Sequence, residues 1–225
     1  MTEAVEHDDD RIETPRRGLP GPVVAVLLVA VLAVGALIGA MLARQPALAV
    51  PSEGSVDVGF ARDMQAHHAQ AVQLAVLIRD RSTDEEVRTV ALDILLTQQN
   101  QIGQMAGWLS TWDLPAASSA APMAWMQDGS HGHGDTATGS YADMPGWVSS
   151  EDLARLTAVD GAEADRLFLQ LMIPHHEGGV EMAEYTVEHA RMPQVVDLAS
   201  GIVTFQEKEL TVLSDMLDAR GGPVD

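Results

Sequence analysis

Phe60-Ala-Arg-Asp-Met64-Gln-Ala-His67-His68-Ala-Gln-Ala-Val72 returns without a gap, further along the chain, as Phe168-Leu-Gln-Leu-Met172-Ile-Pro-His175-His176-Glu-Gly-Gly-Val180. The same offset holds into the next segment, where Val87, Ala91, Ile94, Gln98, Ile102 and Leu109 fall on Val195, Ala199, Ile202, Gln206, Leu210 and Leu217. Helical sequence of low complexity produces apolar matches of this kind, but not the Met-x-x-His-His pair as well. The register therefore marks an internal duplication.

Each copy reads as a helical hairpin. Apolar residues recur at i, i+3, i+4 and i+7, and no alternating run suggests a strand. In the first copy a helix spans about Val56 to Asp80. Thr83 and Glu86 offer a capping box to a second helix, which runs to about Trp112 before Asp113-Leu114-Pro115 stops it. In the second copy a helix from about Ala162 to Ala190 precedes Met192-Pro193, and the last helix runs to Arg220, with Gly221-Gly222 as its stop. Pro174 inside the third helix predicts a kink and a freed carbonyl one turn earlier. A single hairpin cannot bury its own apolar stripe, whereas two packed face to face bury both. The expected fold is all-α: a four-helix bundle of two duplicated hairpins, with approximate two-fold symmetry.

Upstream of the bundle, Val23 to Ala43 carries no charged side chain, and at about 1.5 Å per residue it spans a hydrocarbon core of about 30 Å. Arg11, Arg16 and Arg17 precede it and only Arg44 follows closely. That bias predicts a cytoplasmic N-terminus and an extracytoplasmic remainder. A cleaved signal is the rival reading, since Ala47-Leu48-Ala49 resembles a small-x-small cleavage site. Both readings place the bundle outside the cytoplasm. The predicted organisation is a cytoplasmic tail over 1–20, a transmembrane helix over 21–43, a linker over 44–54 and the bundle over 55–220. Within the bundle, hairpin 1 covers 55–113 and hairpin 2 covers 149–220, the latter opening with a short helix near Glu151 to Ala158 capped by Ser149 or Ser150. The stretch 114–148 between them is rich in Ala, Ser, Gly and Pro and reads as a loop, carrying Met123, Met126, His131, His133 and Met144.

A net charge of −20 argues against a nucleic-acid partner, which needs clustered Lys and Arg. There is no cysteine, so disulfides and thiolate metal sites are excluded. Soft ligands must come from the 11 methionines and borderline ones from the eight histidines.

Met64 and His67 share a helix face, as do Met172 and His175. Met172, His175, Gly179, Met182, Thr186 and His189 continue in 3-4-3-4-3 spacing, the seam of a packed helix. The first copy has Leu74 and Arg81 at the positions of Met182 and His189. Adjacent histidines point about 100° apart, so one of each pair should face the seam and the other a neighbouring helix or solvent. Thioether sulfur suits Cu(I), and imidazole serves both copper states, so a thiol-free Met/His set points to copper. Buried methionines that merely fill the core are the competing reading. A carboxylate-bridged di-iron centre is disfavoured, because Gln98-Gln99 and Gln206-Glu207 provide no Glu-x-x-His. No nucleophile elbow or phosphate-binding glycine loop occurs.

Phe-x-x-x-Met-x-x-His-His at 60–68 and 168–176, and His-His-Glu-Gly-Gly-Val-Glu-Met-Ala at 175–183, resemble the DUF305 family, as do Gln98 and Gln206 with Trp108-Leu109. The resemblance covers about residues 55 to 220. It implies a ferritin-like four-helix bundle, exported or membrane-anchored, with copper-binding relatives. Its carried-over metal candidates are Met64, His67, His68, Met172, His175, His176, Met182 and His189. The function expected is copper sequestration or transfer at the outer membrane face, without turnover and without an organic cofactor. The alternative is an anchored helical interaction module, or a subunit of a membrane complex, with a purely structural Met/His core. A metal-dependent oxidase would need an open coordination position. A homo-oligomer or a membrane-protein partner is compatible with either main reading.

Overall fold

A computed structural model of the chain describes residues 20–43, 50–117, 119–126 and 139–224. Two units separate at residues 49 and 50. Among the described residues the first contains one helix, α1 (Gly21–Ala43), whose stretch Gly21–Met41 has a mean hydropathy of 3.0 and nothing buried. It is long and apolar enough to cross a membrane.

The second unit is all-helical among the described residues. Helices α2 (Val56–Arg81) and α3 (Glu85–Thr111) form one hairpin, and α5 (Gly161–His189) and α6 (Pro193–Ala219) form the other. The hairpins join through α2 and α5, and a short α4 (Ser150–Ala158) packs on both. Two 3-10 turns, Ala124–Met126 and Tyr141–Asp143, interrupt the stretch expected to be a loop, the first lying against α2. The four-helix bundle of duplicated hairpins is thus the fold.

Local chemistry sets the helix ends. The carboxylate of Asp84, rather than Thr83, caps α3 by accepting from the backbone N–H of Glu86 at 2.9 Å and of Val87 at 3.3 Å. Asp is a stronger cap than Thr, and the helix begins one residue later than expected. Ser149 caps α4 by accepting from the N–H of Asp152 at 3.0 Å. α6 lacks a side-chain cap of its own, and buried Asp57 of α2 accepts from the N–H groups of Arg191 at 3.0 Å and Met192 at 2.8 Å. Asp165, the repeat equivalent of Asp57, lies buried beside Ser82 in the α2–α3 turn. The duplication therefore begins upstream of Phe60. α5 runs unbroken through Pro174, so the expected kink does not end the helix.

The apolar core falls into two parts. Residues of the C-terminal half of α2 (Leu74, Ile78) pack with the N-terminal half of α5 (Phe168, Leu169), with Ile94 and Leu213 alongside. The N-terminal half of α2 (Phe60, Met64) packs with the C-terminal half of α5 (Met182), together with Met105, Leu109 and Ile202. α2 and α5 are therefore antiparallel. Each such side chain, fully buried, contributes about 1.5–3 kcal/mol of transfer free energy.

Candidate metal centre

α2 and α5 cross where their His-His pairs lie. His67 and His175 face each other with ring centroids 3.9 Å apart and planes inclined by 32°. His67, His68, His175 and His176 have no solvent exposure at all. The second histidine of each pair turns toward its own hairpin partner. His176 meets Glu209 of α6, and His68 lies beside Gln101 of α3. Gln101 and Glu209 are themselves repeat equivalents, so the waist of the molecule repeats in its details.

The hydrogen bonds fix the protonation pattern. His67 donates from Nε2–H to the carbonyl of Pro145 at 3.2 Å, and His175 donates from Nε2–H to the carbonyl of His67 at 3.2 Å. A carbonyl oxygen can only accept, so in both neutral rings the lone pair sits on Nδ1. His176 Nε2–H donates to a carboxylate oxygen of Glu209 at 2.9 Å. In all three rings Nδ1 is buried with no hydrogen-bond partner among the described residues. Loss of solvation on burial is the main reason His67, His68 and His175 stay neutral. It holds His67 down to about 4 and His68 to about 3, and it pushes His175 well below its ordinary value. Positive charge on a neighbouring imidazole pushes all three the same way.

Gln98 and Gln206 complete this polar layer. Both are buried, and neither amide has a hydrogen-bond partner among the described residues. Gly179 makes room for Gln206, because a Cβ there would strike the amide oxygen. A strap from the inter-hairpin stretch closes the layer. The amide of Gln70 exchanges two 2.8 Å hydrogen bonds with the backbone of Val148, and Pro145-Gly146 crosses α5. A Cβ on Gly146 would collide with the carbonyl of Pro174, and one on Gly178 with that of Pro145.

Of the methionines expected at the site, Met64 and Met172 are fully buried but belong to opposite parts of the core. Each lies one turn before its crossing histidine, and in antiparallel helices one turn back leads to opposite sides of the crossing. Met182 joins Met64 rather than Met172. The seam stays buried through Thr186, whereas His189 is exposed, stacked on Tyr185 at 4.0 Å and bonded through Nδ1 to that residue's carbonyl. His131 and His133 lie outside the described residues.

No group of three or more His, Asp or Glu side chains is arranged around one point among the described residues. Two imidazoles on one ion, with metal–nitrogen distances of about 2.0 Å, hold their centroids about 5 Å apart. At 3.9 Å the His67 and His175 rings would have to part to share an ion. The chemistry of the donors suits a soft or borderline metal: neutral imidazole nitrogens, buried thioethers one helical turn along the chain, and no thiol.

Several of these residues escape motif reading. Pro145 and Val148 act through their backbone groups, which leave no side-chain signature. Asp63 is another case, holding the inter-hairpin stretch by accepting from Met123 N–H at 2.7 Å and Trp125 Nε1–H at 2.8 Å. Glu209 is detectable from sequence, because the constant offset of the repeat matches it to Gln101.

Fold and site together define a class: a duplicated helical bundle with a buried, dyad-related imidazole layer. The chain belongs to the DUF305 family, whose model, described as a domain of unknown function, matches residues 57–217. Among solved structures, a candidate secreted DUF305 protein of Streptomyces coelicolor is 42% identical, with a TM-score of 0.69 over 77% of this chain and 99% of that one. A DUF305 fragment from Deinococcus radiodurans is 33% identical, with a TM-score of 0.60 over 73% and 96%. CopM, solved in a Cu(I)-bound form, shares the fold at 22% identity, with a TM-score of 0.56 over 74% and 98%. A curated but uncharacterized protein of Acanthamoeba polyphaga mimivirus matches at 32% identity over 56 residues, and this chain spans 37% of its length.

Proposed function

We propose that this chain is a membrane-anchored copper-binding protein that holds copper at the outer face of the membrane, through imidazole and thioether donors drawn from both hairpins. The observation that carries this reading is the waist itself. His67, His175 and His176 each have Nε2 tied to a protein acceptor and Nδ1 buried and unpartnered. That is the preparation expected of metal-ligating histidines, whose distal N–H is held by a carbonyl or carboxylate. His67 and His175, kept neutral by burial, bind metal without first losing a proton. An unpartnered buried polar atom costs about 1–3 kcal/mol, and a bound cation would relieve several at once.

Supporting this, CopM has been solved with Cu(I), with Cu(II) and with silver. His67, His68, His175 and His176 are the principal donors, with Met64, Met172 and Met182 as the flanking thioethers. His189, exposed at the end of α5, belongs to the entry surface rather than the waist. α1 serves as the anchor and keeps the bundle outside the cytoplasm. No chemical turnover is assigned.

The test is anaerobic Cu(I) titration of the purified full chain in detergent, in competition with a chromophoric Cu(I) chelator, for wild type and the double variant His67→Gln, His175→Gln. Affinity should fall by about 100-fold or more in the variant while its helical circular dichroism is retained. Equal affinity in the two proteins would overturn the reading.

A further inference from the structure

Resting on that copper reading, we infer that Glu209 is a positioning residue that makes the two halves of the duplicated site unequal, giving the second hairpin the site that favours Cu(II). The repeat is closely kept at the waist, so a departure from it stands out. His68 and His176 are equivalent, both fully buried, and each faces the position two turns before the end of its hairpin's core stripe: Gln101 for the first and Glu209 for the second. Only the second of these is a carboxylate, and it accepts the Nε2–H of His176 at 2.9 Å. The first is a neutral amide lying beside His68, which carries no charge to set against the ring.

This difference has chemical consequences. A carboxylate on the far nitrogen fixes the tautomer, orients the ring and makes the near nitrogen more basic. It also places a negative charge one ring away from a bound ion, where its attraction for a divalent cation is twice that for a monovalent one. Imidazole accepts both copper states, whereas thioether favours Cu(I). The His176 side is therefore built for the more highly charged ion, and the His68 side, flanked by an amide, discriminates less.

The experiment measures Cu(I) and Cu(II) dissociation constants separately on the full chain in detergent, for wild type, Glu209→Gln and Gln101→Glu, with electron paramagnetic resonance of the Cu(II) forms. Glu209→Gln keeps the side chain's size and an acceptor oxygen, so a purely structural role would leave the preference between the two ions in place. The inference expects Cu(II) binding to weaken by about 10- to 100-fold, Cu(I) binding to weaken less, and the Cu(II) spectrum to change. Gln101→Glu should strengthen Cu(II) binding in the otherwise wild-type chain. An unchanged ratio of Cu(II) to Cu(I) affinity in both variants, with wild type binding copper, overturns this inference and leaves the copper reading standing. Failure of wild type to bind either ion overturns both.

Discussion

The two ends of the bundle descend from one sequence and are now filled differently. At one end, Leu74 and Leu213 pack with Phe168 and Met172 in a largely aliphatic core. At the other, the repeat-equivalent positions are Met182 and Met105, packed with Phe60 and Met64, while Met123, Met126 and Met192 press on the same cluster. Between them lies the histidine layer, where the duplication is most nearly kept. A shared scaffold needs only apolar side chains of the right volume at both ends, and leucine meets that need. Replacing it with methionine at one end adds soft donors without changing the packing plan. On the proposed reading the principal imidazole donors sit where the two copies agree, and the added thioethers where they differ.

The largest expected effect tests the layer common to both ends. His67, His68 and His175 have depressed folded-state values, so their contribution to stability is complete above the unfolded value of 6.5 and is lost as the pH falls below it, toward about 4 for His67 and about 3 for His68. Stability should therefore fall by about 1 kcal/mol or more per pH unit across that range. Urea denaturation of the metal-free chain at pH 7.5, 6 and 5 measures it, and His68→Gln should flatten the slope. A stability independent of pH over this interval would show that the rings are not sealed from solvent.

Next come the two phenylalanines. Phe60→Ala and Phe168→Ala each remove a fully buried ring and should cost about 3–5 kcal/mol by chemical denaturation. Phe60 also meets Trp125 edge-on at 6.1 Å, so its loss should additionally expose that indole to a fluorescence quencher. Trp125 quenching in the Phe168 variant should stay as in wild type.

Smaller still is the contrast between the paired aspartates. Asp57→Asn weakens the cap on the α5–α6 turn and should cost about 2 kcal/mol. Burial pushes the Asp165 carboxyl up, and one of its oxygens lacks a partner, so Asp165→Asn should fall within about 0.5 kcal/mol of wild type or stabilise. Equal costs would mean that the two turns are capped alike.

The smallest effect on stability separates packing from chemistry. Met105→Leu with Met182→Leu restores the other end's residues and should change stability by less than about 1.5 kcal/mol per site. Cu(I) affinity should nevertheless fall by about 10-fold or more, whereas Leu74→Met leaves it near wild type. A Cu(I) affinity indifferent to both Met105 and Met182 would reduce that end to core filling.

The fold was largely legible in the sequence because helical periodicity and an ungapped repeat are local, additive signals. The four long helices follow from them, as does one histidine of each pair facing the seam; that the second histidine is buried as well does not. Met64 and Met172 show where such reading stops. Spacing places each on its histidine's face, but only the antiparallel crossing of α2 and α5 sends them to opposite ends. Asp84 rather than Thr83 caps α3 because the cap preference for Asp outweighs the Thr83–Glu86 capping-box spacing. The strap bonded to Gln70 is held through the backbone of Val148, which any residue type supplies. Nothing in the composition of that stretch distinguishes it from a free loop.

X-ray absorption at the copper edge of the Cu(I)-loaded full chain examines the donors directly. Imidazole scattering together with a sulfur shell is expected in wild type, with the imidazole signal reduced in His67→Gln, His175→Gln. A shell of oxygen neighbours alone, or a spectrum the same in both proteins, would mean that the metal sits elsewhere and that the buried rings serve only the fold.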